Sequence, residues 1–150
     1  MPTLILRLAH TPHADDAVYD YVLSADGSTV AEHATQSLAQ LPQPGKAGLE
    51  VVALVAARHL SWHKLRFPPG VLGRRGWRDA DAPRVRAVLE GLLEERLLDD
   101  AQQLHFAIGP RVEDDGTVWV AACDRAWLRA ALGVLEQSGR AVSRVLPEFS

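Results

Sequence analysis

The sequence has little cysteine, no long apolar run and no strong excess of either charge. One cysteine, Cys123, among 150 residues excludes an internal disulfide and a cysteine-rich zinc site. No stretch of about 18 apolar residues is free of charge, and Met1 leads into a strand pattern without a basic leader, so we expect a soluble, cytoplasmic chain. The net charge of −3 argues against a dedicated nucleic-acid binder.

What is present is a core-forming composition with unevenly placed charge. Hydrophobic residues make up 47% of the chain, enough for one domain of ordinary size. Eight of the 16 lysines and arginines lie between Arg58 and Arg86. The next stretch is acidic, with Glu90, Glu94, Glu95, Asp99 and Asp100. Adjacent blocks of opposite charge either complement one another in the fold or face a partner.

The first third of the sequence predicts β structure. Alternation in residues 4–8 and again in Val18–Leu23 predicts two strands, each with one buried face. Asp26-Gly27 then favours a tight hairpin turn into a third strand, Thr29–Thr35. Residues 51–55 are apolar at every position, which is typical of a central strand covered on both faces.

The middle of the sequence predicts one exposed strand and one amphipathic helix. Ser61–Phe67 alternates and should be a half-exposed strand, whereas Gly70–Asp81 has neither periodicity and is interpreted as a surface loop. Pro83 suits the first turn of a helix. The apolar stripe of this helix recurs at steps of three and four residues: Val85, Val88, Leu89, Leu92, Leu93 and Leu97.

The last third predicts a hairpin, a helix and a strand. Residues 104–108 and 118–122 alternate and should pair as an antiparallel hairpin. Asp124 is a suitable N-cap for a second helix that Gly139 would end, and Ala141–Leu146 follows as a short strand.

This order of elements predicts a mixed α/β (α+β) fold with two main helices. Three leading antiparallel strands followed by mixed elements fit an actin-like or ribonuclease-H-like lobe with a mixed sheet, although an α+β sandwich would give much the same order. We expect one domain over residues 1–150, within which about 60–123 would form an inserted subdomain.

No pattern of catalytic, cofactor-binding or metal-binding residues is evident. Gly45-Lys46 lacks the rest of a phosphate-binding loop, and no serine lies on a nucleophile elbow. The pairs His10 with His13 and His59 with His63 are not on helices, so their spacing does not bring them together as metal ligands. Cys123 ends an apolar strand beside Asp124, which predicts a packing role and a raised thiol pKa.

Candidate contacts with a partner protein come from the two charge blocks. Negative charge at the end of a helix opposes the helix dipole, so Glu94, Glu95, Asp99 and Asp100 need a compensating partner, although a solvated face is the simpler interpretation. In and beside the basic block, Trp62 and Arg66 are candidate anchors, because partly exposed aromatic and arginine side chains often fill pockets across interfaces. Packing in the core or against a loop is the simpler interpretation of Trp62.

An ordered set of segments resembles a known family. Leu89–Asp100, followed by Leu104–Gly109, is similar to the cytoplasmic domain of protein L of the bacterial type II secretion system. Ser61–Pro68 before them and Val118–Cys123 after them fall in the order that this family shows. The resemblance spans nearly the whole chain and corresponds to the N-terminal part of that domain.

The resemblance implies an actin-like fold and a non-enzymatic scaffold role without a cofactor. The family's cytoplasmic region binds the N-terminal region of the secretion ATPase, protein E, and links it to the inner-membrane platform with proteins M and F. It therefore implies a location at the cytoplasmic face of the inner membrane, and it leaves homodimer formation open. The family's transmembrane helix and periplasmic domain are not in this sequence, so we expect a piece that ends near Pro147-Glu148.

Two other functions remain as alternatives. Nucleotide-binding actin-like proteins carry an Asp-x-Gly phosphate loop between the first two strands, whereas His10–Asp16 contains Pro12 and no glycine. An actin-like nucleotide-binding protein or ATPase would need an unconventional phosphate loop built from Gly70–Arg78. Anion or nucleic-acid binding through the Arg58–Arg86 stretch ranks last because of the net charge.

Overall fold

The computed structural model describes residues 1–26, 28–45, 48–68, 78–79, 83–94, 101–109 and 111–148. Within those ranges the strands are β1 (Thr3–Arg7), β2 (Val18–Ser24), β3 (Glu32–Ser37), β4 (Glu50–Val55), β5 (Ser61–Arg66), β6 (Arg78–Asp79), β7 (Leu104–Ile108), β8 (Thr117–Asp124) and β9 (Arg144–Pro147). The α-helices are α1 (Pro83–Leu93) and α2 (Arg125–Gln137), and short 3₁₀ turns occupy Leu38–Gln40, Ala57–His59 and Ala101–Gln103. The predicted mixed α/β class and the two main helices are confirmed.

The chain divides into two compact units. The first unit comprises Met1–Ala57 and Trp127–Ser150, and the second comprises Arg58–Ala126. The first unit holds a mixed sheet in the order β3-β2-β1-β4-β9, in which β4 runs parallel to both of its neighbours. Because β4 has a strand on each side and most of its side chains are buried, the prediction of a buried inner strand here is confirmed.

The second unit holds an antiparallel sheet in the order β5-β8-β7-β6. Alternate residues of its strands face α1, as a period of two requires, and form a core with that helix. The buried members of this core are Leu65, Phe67, Leu89, Leu93, Phe106, Ile108, Val118, Val120 and Ala122. The sequence predicted the β7–β8 hairpin and helix α1, but it did not predict that β5 pairs with β8 and β6 with β7.

The C-terminal end of α2 is closed by a glycine and a buried arginine. Gly139 adopts a φ of 88°, and the amides of Gly139 and Arg140 donate to the carbonyls of Glu136 and Leu135, the pattern of a Schellman motif. The Arg140 side chain is 1% exposed and donates to the carbonyl oxygens of Leu41 and Pro42, at 2.7 and 2.9 Å. The predicted stop at Gly139 is therefore confirmed, and Arg140 fixes the loop after β3 to the helix end.

Two strands begin three residues later than predicted. The third strand was expected at Thr29–Thr35 but begins at Glu32, because Asp26 Oδ1 accepts the amides of Ser28 and Thr29 and keeps them in the turn. The last strand was expected from Ala141 but begins at Arg144, because the chain first has to leave the helix end.

The prediction of a loop over Gly70–Asp81 is wrong at two residues. Arg78 and Asp79 form β6, paired with Ile108 and Ala107 of β7. A two-residue strand is too short for side-chain alternation to be recognised in the sequence. The rest of that segment, and Leu97 of the predicted helical stripe, lie outside the described residues.

Among the described residues, no helix combines the length and the apolar character needed to cross a bilayer.

Candidate protein-interaction site

Among the described residues, the most exposed aromatic side chain, Trp119, lies on the second unit's sheet. Since Leu65, Val118 and Val120 point toward α1, the residues between them on β5 and β8 point to the opposite face. That face carries Trp62, Lys64 and Arg66 from β5 and Trp119 from β8. We call these four residues the tryptophan face.

The strand register sets the neighbours on the tryptophan face. Lys64 lies directly opposite Trp119, and Trp62 lies one pair further along the two strands, opposite Ala121. Side chains paired in this way have Cβ atoms about 4.5–5.5 Å apart, and diagonal neighbours are within reach of an aromatic ring. Trp119 is 52% exposed, Lys64 and Arg66 are exposed, and Trp62 is half-buried. Two indole rings and two cationic groups therefore share one open surface.

The loop between β7 and β8 holds the end of this surface in place. Arg66 Nε donates to the carbonyl oxygen of Asp115 at 2.9 Å, and the amide of Phe67 donates to the carbonyl of Gly116 at 3.0 Å. Hydrogen bonds from Thr117, first from its side chain and then from its backbone, lower the pKa of Asp115, and the charge of Arg66 adds to the effect. The guanidinium thus stands at a fixed place at the end of β5.

This arrangement suits recognition of a protein surface. Tryptophan and arginine are the residues most enriched at positions that dominate binding energy, because they bury a large area and offer directed donors. Lys64 and Arg66 carry the only charges of the tryptophan face, and both are positive. Its complement is a surface that combines apolar groups with carboxylates.

The structure brings together only part of the predicted contact set. Trp62 and Arg66 lie on the same face of β5. Glu94 is exposed at the end of α1, which covers the opposite face of the sheet, so it does not join them. The other three acidic candidates, Glu95, Asp99 and Asp100, lie outside the described residues.

Sequence reasoning did not name Trp119 or Lys64 as candidate contacts, although the alternation in Ser61–Phe67 places Lys64 on the same side of its strand as Trp62 and Arg66. The signal for Trp119 was present, because Val118 and Val120 alternate as core residues and the residue between them must face outward. Its pairing with Lys64 could not be found in the same way, since alternation shows which face a residue is on but not which strand lies beside it.

The histidines and the cysteine are the residues that the sequence offers for a metal site or a thiol nucleophile. In the part of the chain that the structure describes, no three histidine, cysteine or acidic side chains are grouped so that they could hold a metal ion. His63 Nε2 lies 3.0 Å from Ser61 Oγ. Burial, with a smaller contribution from Asp124, raises the pKa of the Cys123 thiol to about 11. The predicted packing role of Cys123, which is 6% exposed, is confirmed.

Several backbone groups of the loop between β1 and β2 are hydrogen-bonded within the loop or to α2. The amides of Ala14 and Ala17 donate to the carbonyls of Thr11 and Ala14, at 3.0 and 3.1 Å. Trp127 Nε1 donates to the carbonyl of His10 at 2.9 Å, which fixes the start of the loop to α2. Of the alternative phosphate loop over Gly70–Arg78, only Arg78 lies among the described residues.

Comparison with known proteins gives one consistent family. Residues 4–150 match the family model described as type II secretion system protein L. The chain is 32% identical over 139 residues to the protein of that name from Pseudomonas aeruginosa, covering 92% of this chain and 31% of the relative. It is 33% identical over 98 residues to the one from Vibrio cholerae, covering 65% of this chain and 21% of the relative. The chain thus spans about a third or less of these relatives.

A solved structure shares the fold. The cytoplasmic domain of EpsL, an inner-membrane component of the type II secretion system of Vibrio cholerae, matches with a TM-score of 0.68 and 26% identity. The match covers 98% of this chain and 57% of that domain. It confirms the predicted actin-like fold and the resemblance noted in the sequence.

Proposed function

Because the chain belongs to the protein L family of the type II secretion system, we propose that it is a non-enzymatic scaffold that holds the N-terminal region of the secretion ATPase, protein E. In this role it links the ATPase to the platform proteins M and F at the cytoplasmic face of the inner membrane. The similarity to the cytoplasmic domain of an inner-membrane component of that system supports this location.

The observation that carries the proposal is the tryptophan face. Trp119 is half exposed on the sheet, with Lys64 opposite and Arg66 near it. Contact between its apolar ring and water is unfavourable, and a bound partner protein would remove the ring from water. We therefore assign the ATPase contact to Trp62, Lys64, Arg66 and Trp119. The partner surface would contribute carboxylates opposite the two cations.

Calorimetric titration of this chain with the purified N-terminal region of the ATPase tests the assignment. Trp119→Ala should weaken binding roughly tenfold or more, because truncating a central aromatic anchor removes its buried area and leaves a gap. Val30→Ala is the matched control, since Val30 is also exposed, at 63%, but lies on the first unit. The control should bind like the unmodified chain.

Two results would contradict the proposal at different levels. If the unmodified chain shows no binding at high micromolar concentration, the scaffold role is wrong for this part of the protein. If it binds and Trp119→Ala binds equally well, the contact lies elsewhere. The acidic helix end would then be tested by reversing Glu94 and Glu95 to lysine, which should weaken binding and reduce its salt dependence if that end is the contact.

A further inference from the structure

An open groove lies on the side of the second unit where α1 packs. This groove, of about 860 Å³, runs between α1 and the loop joining β7 to β8. Val88 and Leu92 of α1 line it together with Phe67 and Val112. We call it the α1 groove. Its volume is in the range of sites that bind ligands or protein segments.

The α1 groove is open along a strip of small side chains. Ala87 and Gly91 are one helical turn apart and both are exposed. A Cβ atom added at Gly91 would meet no heavy atom of the described residues within 4 Å, apart from the backbone of its own helix. Val112 is 38% exposed, and Val88 and Leu92 are half-buried. A second helix could therefore approach the backbone of α1 closely and cover apolar surface as it did so.

The charge along the α1 groove has one predominant sign. Glu113, Asp114 and Asp115 follow one another on the loop that forms one wall. Hydrogen bonds from Thr117, first from its side chain and then from its backbone, are the chief cause of the lowered pKa of Asp115 and favour its ionised form. Arg66, at the end of β5, is the single cationic residue lining the groove within the described part of the chain. The wall therefore favours a positively charged occupant.

We propose that the α1 groove binds a basic amphipathic helix of a partner protein. The apolar stripe of that helix lies on Val88, Leu92 and Val112, and its lysine or arginine side chains reach Glu113 and Asp114. This is the helix-in-groove mode of recognition, in which residues three and four apart serve as anchors. The occupant's chemistry follows from the groove alone.

The source of such a helix rests on the proposed function. Cytoplasmic segments next to transmembrane helices carry an excess of lysine and arginine. A scaffold at the inner membrane would meet segments of this kind on neighbouring membrane proteins. The tryptophan face favours an acidic partner and the α1 groove a basic one, so the two surfaces select different partners, and Arg66 borders both.

Fluorescence anisotropy with two designed peptides tests the groove. Both peptides are 18-residue helices with leucine on one face, and the other face carries lysine in the first and glutamate in the second. The lysine peptide should bind the unmodified chain, with an affinity that falls as salt rises, and the glutamate peptide should bind roughly tenfold more weakly or not at all.

Matched glycine variants show whether binding occurs in the groove. Gly91→Leu places a side chain in the open strip and should weaken binding of the lysine peptide roughly tenfold. Gly133→Leu is its control, because Gly133 of α2 also has open space around an added Cβ but lies in the first unit. Glu113→Gln with Asp114→Asn should weaken binding and flatten its salt dependence.

Two outcomes overturn the proposal. One is equal binding of the lysine and glutamate peptides, which would mean that charge does not select the occupant. The other is a lysine-peptide affinity that Gly91→Leu leaves unchanged, which would place the peptide elsewhere on the chain. Titration of Gly91→Leu with the ATPase region distinguishes a failure of the groove proposal from a failure of the proposed function. This variant should retain the binding assigned to the tryptophan face.

Discussion

Asp26 organises the turn between β2 and β3 through its carboxylate. Its Oδ1 accepts the amides of Ser28 and Thr29 at 2.8 and 2.9 Å, and the side chains of Ser24 and Thr29 donate to it as well. These bonds, led by the amide of Thr29, lower the pKa of Asp26 to about 2. The sequence predicted a turn at Asp26, but not how many following residues its carboxylate would withdraw from the strand.

The low pKa of Asp26 predicts that part of the free energy of unfolding is lost in acid. Because its folded-state pKa lies below the ordinary 3.8, the stabilisation is fully present above pH 3.8 and is lost as the pH falls through about 2. Urea unfolding at several pH values between about 5 and 2 should show this loss, and Asp26→Asn should lack that part of it. Val30→Ala, at an exposed residue after the same turn that has no titratable group, should keep the slope of the unmodified chain. Equal slopes for Asp26→Asn and the unmodified chain would contradict the assignment.

At the scale of elements, the loop from β7 to β8 is fitted closely to the end of β5. Gly116 has a φ of 90°, and a Cβ added there would lie 2.4 Å from the carbonyl oxygen of Phe67. The loop and the strand approach so closely because the amide of Phe67 donates to the carbonyl of Gly116. One residue thus sets the position of the loop that borders both the tryptophan face and the α1 groove.

Substitution of Gly116 should therefore destabilise the second unit. We expect Gly116→Ala to lower the free energy of unfolding by about 2 kcal/mol or more, because the left-handed conformation and the overlap with Phe67 both act against a Cβ. Gly91→Ala, within α1 and in open space, should instead raise it by about 0.5–1 kcal/mol. Urea denaturation of the two variants measures both effects. A neutral Gly116→Ala would show that the loop can move away without cost.

The order and type of the elements could be predicted because each has a local signature. Leu89 and Leu93 mark the buried stripe of α1, and Val118 and Val120 mark the core side of β8. The order of the strands within each sheet could not be predicted, since it depends on pairings between segments far apart in the chain, such as β4 with β9. For the same reason the sequence indicated Trp62 and Arg66 as contacts but not their neighbour Trp119.

At the scale of the whole molecule, the second unit has a core of its own. Phe106, Ile108 and Leu89 are at most 1% exposed, and all of their buried partners in this core belong to residues 58–126. A domain of about 70 residues buries enough surface to fold alone, although with a small margin. An inserted subdomain with its own core should fold without the rest of the chain.

We predict that residues 58–126 fold as an isolated fragment. The fragment should give a cooperative urea transition and well-dispersed amide resonances. Phe106→Ala should abolish the transition, because emptying this core position costs about 3–5 kcal/mol, comparable to the whole stability of so small a domain. A fragment with the spectrum of an unfolded chain would contradict the prediction.

The low reactivity of the buried Cys123 thiol simplifies the labelling of this protein for folding and binding measurements. It is the only thiol in the sequence, it is 6% exposed, and its pKa of about 11 keeps it protonated near neutral pH. A cysteine introduced on the surface would be alkylated far faster, so a fluorophore or spin label could be attached at a chosen position without first removing the native residue. The unmodified chain would serve as its own unlabelled blank.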